Sequence, residues 1–274
     1  MFIIDFQQVM VSNIMAHLGK NRSNIDENLV RHMILNSVRY INTKFKDTYG
    51  SLVIAYDSKY SWRKKIFPYY KQHRKKERDA SHVDWVHLFD FFDRIKEELK
   101  EVLPYKIVEV EGCEADDVIG TLVRYARNQE PVLIVSGDKD FIQLHDQNVK
   151  QYDPIHKKFV RNDLPPAEFL CEHIIRGDKG DGIPNVLSDD DTFVLNKRQT
   201  PITKKKIREI MFSSVKGRNW SRNEMLIDLT KIPEELTIEV MEKYAHFPER
   251  DKRKLYSYLV KNKCSNLVMN LGDF

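Results

Sequence analysis

Nine carboxylates stand where the chain turns: Asp5, Asp57, Glu114, Asp116, Asp117, Asp138, Asp140, Asp178 and Asp181. Asp5 follows the apolar run Phe2-Ile3-Ile4, Asp57 follows Ser51–Tyr56, and Asp138 and Asp140 follow Pro131–Ser136. Glu114, Asp116 and Asp117 crowd the first turn of a helix, whose positive dipole end tolerates them. Glu114 and Asp117, three apart, share a helix face. Asp138 and Asp140, two apart, point the same way if the chain stays extended. Two carboxylates about 4 Å apart repel by roughly 4 kcal/mol at an effective dielectric near 20, so so many converging acids need a counter-charge. All-oxygen donors favour a hard divalent cation, Mg²⁺ or Mn²⁺, over zinc. Any single aspartate could cap a helix or end a strand. Acid after strand after strand is what that explanation leaves over. Two ions about 4 Å apart would activate a water and steady the leaving oxygen of a phosphodiester.

The elements that must position these acids follow from periodicity. Strands are expected at Phe2–Ile4, Ser51–Tyr56, Lys106–Val110 and Pro131–Ser136, and helices at Asn24–Lys46, Val83–Leu103 and Ala115–Asn128. Strand alternating with helix implies α/β architecture: a wound, mostly parallel sheet flanked by helices. Ligands of such sheets sit outside the carboxyl ends of the strands, where these acids fall. Beyond Leu164 the pattern becomes helical. Pro165-Pro166 opens a helix through Ile175, Gly177–Pro184 is a glycine-rich loop, and most of Ile202–Lys261 reads as helix. The division expected is an α/β body over 1–163 and a helical part over 164–274.

The chain has 274 residues, 41% hydrophobic and 31% charged, with a formal net charge of +4. Those values describe an ordinary globular chain. Its apolar runs are too short to span a membrane, and its start is too short and too soon acidic for a signal peptide. Three cysteines, odd in number and far apart, exclude a disulfide framework or a zinc knuckle and suggest a reducing cytosol. The modest charge hides segregation: Ser58–Arg78 carries a net +8 and Lys197–Arg218 a net +7, leaving −11 for the rest. Basic segments flanking an acidic body suit a polyanion held beside a metal site. A solvated basic face is the plainer reading of either run.

Glu111–Gly120 (EGCEADDVIG), Val135–Phe141 (VSGDKDF) and Gly177–Pro184 (GDKGDGIP) resemble the three acidic blocks of the 5′-nuclease family, which includes flap endonucleases and the 5′-exonuclease domains of bacterial DNA polymerases. The likeness runs over roughly residues 1–190. Trp62-Arg63 leading into Tyr69-Tyr70-Lys71, Met225–Asp228 and Lys254–Lys261 resemble the ribonuclease H branch of that family in T-even-type bacteriophages, which extends the likeness over nearly the whole chain.

The resemblance implies a PIN-like nuclease fold and two Mg²⁺ ions, with Mn²⁺ as substitute. Asp5, Asp57, Glu114, Asp116 and Asp117 would hold the first ion, and Asp138, Asp140, Asp178 and Asp181 the second. Asp116 and Asp138 are taken as catalytic, with Lys71 and Arg74 at the scissile phosphate as a cationic clamp. Residues 58–82 would form a flexible arch over the site. There Arg63, Lys64, Tyr69, Tyr70, Lys71 and Arg74 would take a single strand, the aromatics stacking bases and the cations following phosphates. A helix–three-turn–helix element near 164–195 would grip duplex backbone. Some relatives place K⁺ in its turn; here Asp189-Asp190-Asp191 would repel phosphate, which argues against K⁺, and Lys204, Lys205 and Lys206 are the alternative duplex contacts. The implied function is Mg²⁺-dependent 5′-to-3′ exonuclease and flap endonuclease action on RNA primers (RNA/DNA hybrid) and adjoining DNA in phage lagging-strand replication. Partners are then DNA, RNA/DNA hybrid and a single-stranded DNA-binding protein. Sliding-clamp docking through an N-terminal peptide is not expected, since the first strand begins at Phe2. A monomer in the cytoplasm of the infected bacterial host is expected.

Two other classes are weighed against this. A non-cutting relative that only holds branched DNA would have lost acids, and this chain keeps the set. An aspartyl-phosphate phosphatase needs a second Asp two residues after the first, and Asp5-Phe6-Gln7 lacks it. No Gly-x-Ser-x-Gly nucleophile motif occurs. His173 is expected to be a packed or surface residue, not a ligand.

Overall fold

Why the acids gather is a matter of strand order. A computed structural model describes residues 1–18, 26–80, 84–248 and 251–274. The expected helix starts at Asn24 and Val83 and the end of the arch at 82 lie outside these. The first part runs β1 (Phe2–Asp5), α1 (Phe6–Leu18), α2 (Glu27–Tyr49), β2 (Leu52–Ala55), α3 (Arg63–Ile66), α4 (His73–Asp79), α5 (Trp85–Val102), β3 (Lys106–Val108), α6 (Ala115–Ala126), β4 (Val132–Val135), β5 (Val149–Asp153) and β6 (Lys158–Phe159). The rest is helical: α7 (Pro166–Arg176), α8 (Lys204–Phe212), α9 (Arg218–Ile227), α10 (Glu234–Ala245), α11 (Lys252–Lys261) and α12 (Ser265–Val268).

The sheet has the order β3-β2-β1-β4-β5-β6, parallel except for β6. β1, β2 and β4 are buried at every residue, as apolar runs in a sheet covered on both faces should be. Side chains alternate between two cores. Phe2, Ile4, Ile54, Leu133 and Val135 enter the one under α1, α2 and α5. Met1, Ile3, Val53, Val132 and Ile134 enter the one under α6. The C-terminal helices complete both. Leu255, Leu259, Leu267 and Phe274 join the first, and Leu229 and Val240 the second. Both cores take side chains from either side of residue 163.

Three features depart from the expected pattern. α1 starts directly after β1, and its Phe6, Val9, Met10 and Ile14 are all buried. That helical spacing was there to be read. The β5–β6 hairpin adds an edge to the sheet, with Tyr152 opposite Phe159. The helix–three-turn–helix is incomplete. α7 is followed by the glycine turn and an isolated bridge between Asp178 and Ile183, but residues 185–203 are turns and bends. At Gly177 the backbone has φ +68°, and a Cβ would lie 2.3 Å from the Ile183 carbonyl oxygen, so only glycine closes this turn.

The basic segment is packed, in contrast to the flexible arch expected. Trp62, Phe67 and Tyr70 are buried, and Phe67 and Tyr70 share a third apolar cluster with Ile174, Ile183, Leu226 and Ile227. Described residues 58–80 thus form a strap joining the sheet to α7 and α9.

Candidate metal centre and its basic rim

β1 lies at the switch of the winding. The chain leaves it towards β2 and β3 on one side, then crosses through α6 to β4 on the other. A cleft of about 530 Å³ opens at the carboxyl ends of these strands. Eight of the nine expected acids line it: Asp5, Asp57, Glu114, Asp116, Asp138, Asp140, Asp178 and Asp181. Lys71, Arg74 and Lys139 line it too.

Each acid is fixed by its own element. Asp5, closing β1, accepts from the Gln8 amide at 3.1 Å and from Ser136 Oγ at 3.0 Å. Asp57 accepts from the Ala115 amide at 2.6 Å, which ties the start of α6 to the end of β2. The Asp138 loop is held by buried Gln151 of β5, whose amide donates to the carbonyls of Ser136 (2.8 Å) and Asp138 (2.6 Å). Lys71 has φ +56°, an uncommon conformation for a residue with a side chain. Its amide donates to the Asp181 carbonyl (2.8 Å) and its Nζ to Glu114 Oε1 (2.6 Å). Arg74 holds Gly180 O at 2.8 Å and Asp181 Oδ1 at 2.7 Å.

The electrostatics divide the cleft in two. Burial, then the neighbouring Asp57, pushes the Asp5 carboxyl up to about 7. Burial, then Asp138, does the same to Asp140, again to about 7. Asp57 is raised by burial, and Asp116 well raised by burial and by Asp138 and Asp5. Beside the cations the sign reverses. Burial opposes the charge of Glu114, yet Lys71 and Arg63 hold it below the usual carboxylate range. Burial likewise opposes ionised Asp178, and hydrogen bonds from His173 and Lys139 outweigh it. Asp5, Asp57, Asp116 and Asp140 are therefore the acids short of positive charge. Asp140 Oδ1 and His173 Nδ1 are buried with no hydrogen-bond partner. Oxygen donors with raised pKa values and an orphaned carboxylate oxygen fit divalent-cation binding.

Three expected site residues are placed differently. Asp117 is fully buried and does not line the cleft. Its carboxylate takes a two-pronged pair from Arg63 (2.9 and 2.8 Å), the Trp62 indole N–H (3.1 Å) and the Glu114 amide (2.9 Å). Three of the four donors fall on Oδ2 and one on Oδ1, so this fully buried carboxylate already has its counter-charge in Arg63. Arg63 is only 3% exposed and also donates to the Leu226 carbonyl at 2.8 Å, so it is not on the surface to meet phosphate. Tyr70, 1% exposed, puts its hydroxyl between Glu114 Oε2 (2.6 Å) and Asp181 Oδ2 (2.8 Å), and its ring is closed to a base. Tyr69 is half-buried, edge-on to Phe67. Lys64 is exposed.

Lys204, Lys205 and Lys206 are exposed in the first turn of α8, away from the cleft lining. Three cations at a helix start oppose the dipole, a local cost that an anion would remove. The three acids Asp189–Asp191 are partly neutralised. Asp190 is paired with Arg218 and Arg222, and Asp191 with Lys197. Repulsion of phosphate there is weaker than the bare sequence implies.

Lys139 and three residues of α1 are not among the expected site residues. Lys139 pairs with Asp178 at 2.8 Å and stands inside the acidic block Val135–Phe141, where its position was a usable signal. Gln7, Gln8 and Ser12 line the cleft from α1 and were hidden with that helix. His173, packed as expected, is packed against the acids: its Nε2 meets Asp178 Oδ2 at 3.0 Å.

A wound sheet whose acids converge at its carboxyl edge beside three basic side chains defines a metal-dependent hydrolase of phosphodiesters. Residues 1–169 match the family model described as "5'-3' exonuclease, N-terminal resolvase-like domain", and residues 167–274 match "T4 RNase H, C terminal". The chain belongs to the 5′-3′ exonuclease family of nucleases. It is 32% identical to the ribonuclease H of Enterobacteria phage T4 over 99% of this chain and 95% of that one. It is 31% identical to the flap endonuclease Xni of a Shewanella species over 46% of this chain and 48% of that protein. Among solved structures, the bacteriophage T5 D15 flap endonuclease, crystallised with DNA and metal ions, shares the fold. The TM-score is 0.64 at 16% identity, covering 89% of this chain and 99% of that one.

Proposed function

We propose that the protein is a Mg²⁺-dependent 5′-to-3′ exonuclease and flap endonuclease that removes RNA primers and adjoining DNA from lagging-strand fragments, in the cytoplasm of a phage-infected bacterium. The observation that carries this reading is the convergence of eight carboxylates in one cleft, with Lys71 and Arg74 among them. Asp5, Asp57, Glu114 and Asp116 are assigned to a first Mg²⁺, and Asp138, Asp140, Asp178 and Asp181 to a second. Bound divalent ions supply Lewis acidity to the phosphoryl group and lower the pKa of water. Ser136 and Gln8 orient Asp5, Ala115 orients Asp57, and Gln151 fixes the Asp138 loop, so ligand geometry is set before an ion arrives.

Lys71 and Arg74 do the work at the phosphate. Both present charge-assisted donors to carboxylate oxygens, the same chemistry a phosphate oxygen offers. A lysine held in a strained backbone conformation beside the acids stabilises developing negative charge without moving a proton. Duplex DNA or RNA/DNA hybrid is assigned to Lys204–Lys206. The single strand is left to Lys64 and the half-buried Tyr69, since Tyr70 and Arg63 are internal. The test is to incubate a 5′-labelled flap and a nicked RNA-primed duplex with the protein, with and without Mg²⁺, and to size the products. Cleavage in excess chelator equal to that in Mg²⁺ overturns the metal-dependent reading, and products from the 3′ end overturn the polarity.

A further inference from the structure

Each of the three acidic blocks is tied to the same helix. α9 (Arg218–Ile227) carries none of the acids of the cleft and does not line it. The last carbonyls of a helix have no partner within it. In α9 two of them are taken by side chains from far along the chain. The Leu226 carbonyl accepts from Arg63 Nε at 2.8 Å, and the same guanidinium holds Asp117 and reaches Glu114 Oε2 at 3.3 Å. The Ile227 carbonyl accepts from Gln143 Nε2 at 3.1 Å, and that amide also donates to the Asp140 carbonyl at 2.9 Å. Gln143 Oε1 in turn accepts from the Leu229 amide at 2.9 Å, just past the helix. One turn earlier stands Asn223, fully buried. Its side-chain amide donates to the Ile174 carbonyl (2.7 Å) before the glycine turn and to the Pro184 carbonyl (2.9 Å) after it. One residue thus closes both ends of the loop that bears Asp178 and Asp181. Buried Arg222 orients that amide by donating to Asn223 Oδ1 at 2.9 Å, and adds a bond of 2.8 Å to the Pro184 carbonyl.

We propose that α9 is a single brace that sets the spacing between the three acidic blocks, with Asn223 and Gln143 as its positioning residues. The inference rests on the metal-dependent reading of the cleft and adds to it what keeps ligands from separate blocks at a fixed separation. Like charges crowded into one cleft push their supports apart. Strand ladders cannot resist this everywhere, because Asp178 and Asp181 stand on a turn outside the sheet and Asp140 lies beyond the end of β4. α9 spans that gap. It is itself anchored by Leu226 and Ile227, which are buried with Phe67, Tyr70, Ile174 and Ile183. Asn223 and Gln143 bind main-chain carbonyls and touch no carboxylate of the cleft, so they fix where the acids stand and leave their charge alone.

The test uses Gln143→Met and Asn223→Leu, which keep the shape of each side chain and remove its donors, singly and together. Where Asn223→Leu fails to fold, Asn223→Ser, which keeps a single donor, takes its place. Mg²⁺ binding to the DNA-free protein is read by calorimetry, beside the Mg²⁺ midpoint of single-turnover flap cleavage. Each variant should need at least about tenfold more Mg²⁺ in both readings, as when a ligand loses its outer partner. Cleavage at saturating Mg²⁺ should return to within about threefold of wild type, since the acids themselves are intact. A loss of folded protein alone would lower the rate at every Mg²⁺ concentration and leave the midpoint in place. A brace released at one end holds nothing at the other, so the double variant should shift no further than the larger single one. Unchanged midpoints overturn the proposal. So do shifts that multiply in the double variant, which would make the two residues separate local supports. Wild-type protein that binds no Mg²⁺ would instead overturn the metal-dependent reading itself.

Discussion

Replacing Asp140 by Asn should make the metal-free protein more stable, and the gain should depend on pH. Asp140 lies in the cleft with its carboxyl raised to about 7, first by burial and then by Asp138. A carboxyl that ionises near 4 in the unfolded chain and near 7 in the folded one binds more protons when folded. Stability is therefore lost as pH rises from about 4 to about 7 and stays lost above that. At 1.36 kcal/mol per pKa unit the full cost approaches about 4 kcal/mol. The side chain keeps 20% of its exposure, so about 2–4 kcal/mol is the expected size. Its Oδ1 accepts no hydrogen bond, so the amide gives up none there. In chelator, urea unfolding at pH 8 should show Asp140→Asn more stable by that amount. At pH 4 the two proteins should be about equal. Adding Mg²⁺ at pH 8 should stabilise the wild type more than the variant, because binding to the folded state alone raises its stability by mass action. A variant less stable than wild type at pH 8 in chelator, or a gain unchanged between pH 8 and pH 4, would refute the claim that this cleft stores unbalanced negative charge.

Asp116→Asn and Asp138→Asn should abolish cleavage in Mg²⁺ while leaving DNA binding measurable, since phosphate grip lies in the basic segments; gel-shift and product assays on one flap substrate separate the two. Lys71→Ala should lower the single-turnover rate about 10²–10³-fold, the usual loss for one preorganised electrostatic contact in a transition state; a wild-type rate would return the strap to a merely structural role. Neutralising Lys204, Lys205 and Lys206 together should make the slope of log affinity against log salt shallower by about two to three units on duplex, and an unchanged slope removes α8 from the interface. Arg63→Ala should destabilise the fold by about 3–5 kcal/mol by leaving Asp117 buried and unpaired, and Asp117→Asn in the same background should recover part of that loss in thermal unfolding.

The sequence by itself determined four of the six strands, most of the helices and the eight acids that line the cleft. Apolar runs of strand length followed by acids can only stack side by side in a wound sheet, and parallel strands bring their carboxyl ends to one edge. The resemblance of three acidic blocks to a nuclease family was legible because the residues of each block stand together in the chain. What only the tertiary structure decided was which way each neighbour of those acids faces. Asp117 is one residue from Asp116, yet it turns inward because Trp62 and Arg63 lie beneath α6. Tyr70 and Lys71 are adjacent in a basic run expected to be a flexible arch. The burial of Phe67 and Tyr70 against Ile174, Ile183, Leu226 and Ile227 folds the run down and sends Tyr70 under the cleft and Lys71 into it. His173 reads as one more packed histidine on α7. The turn closed by Gly177 brings Asp178 back to its Nε2, and the loop after β4 sets Asp140 opposite its Nδ1. Contacts between residues far apart in the chain make these choices, and a burial cost of several kcal/mol per unpaired charge enforces them.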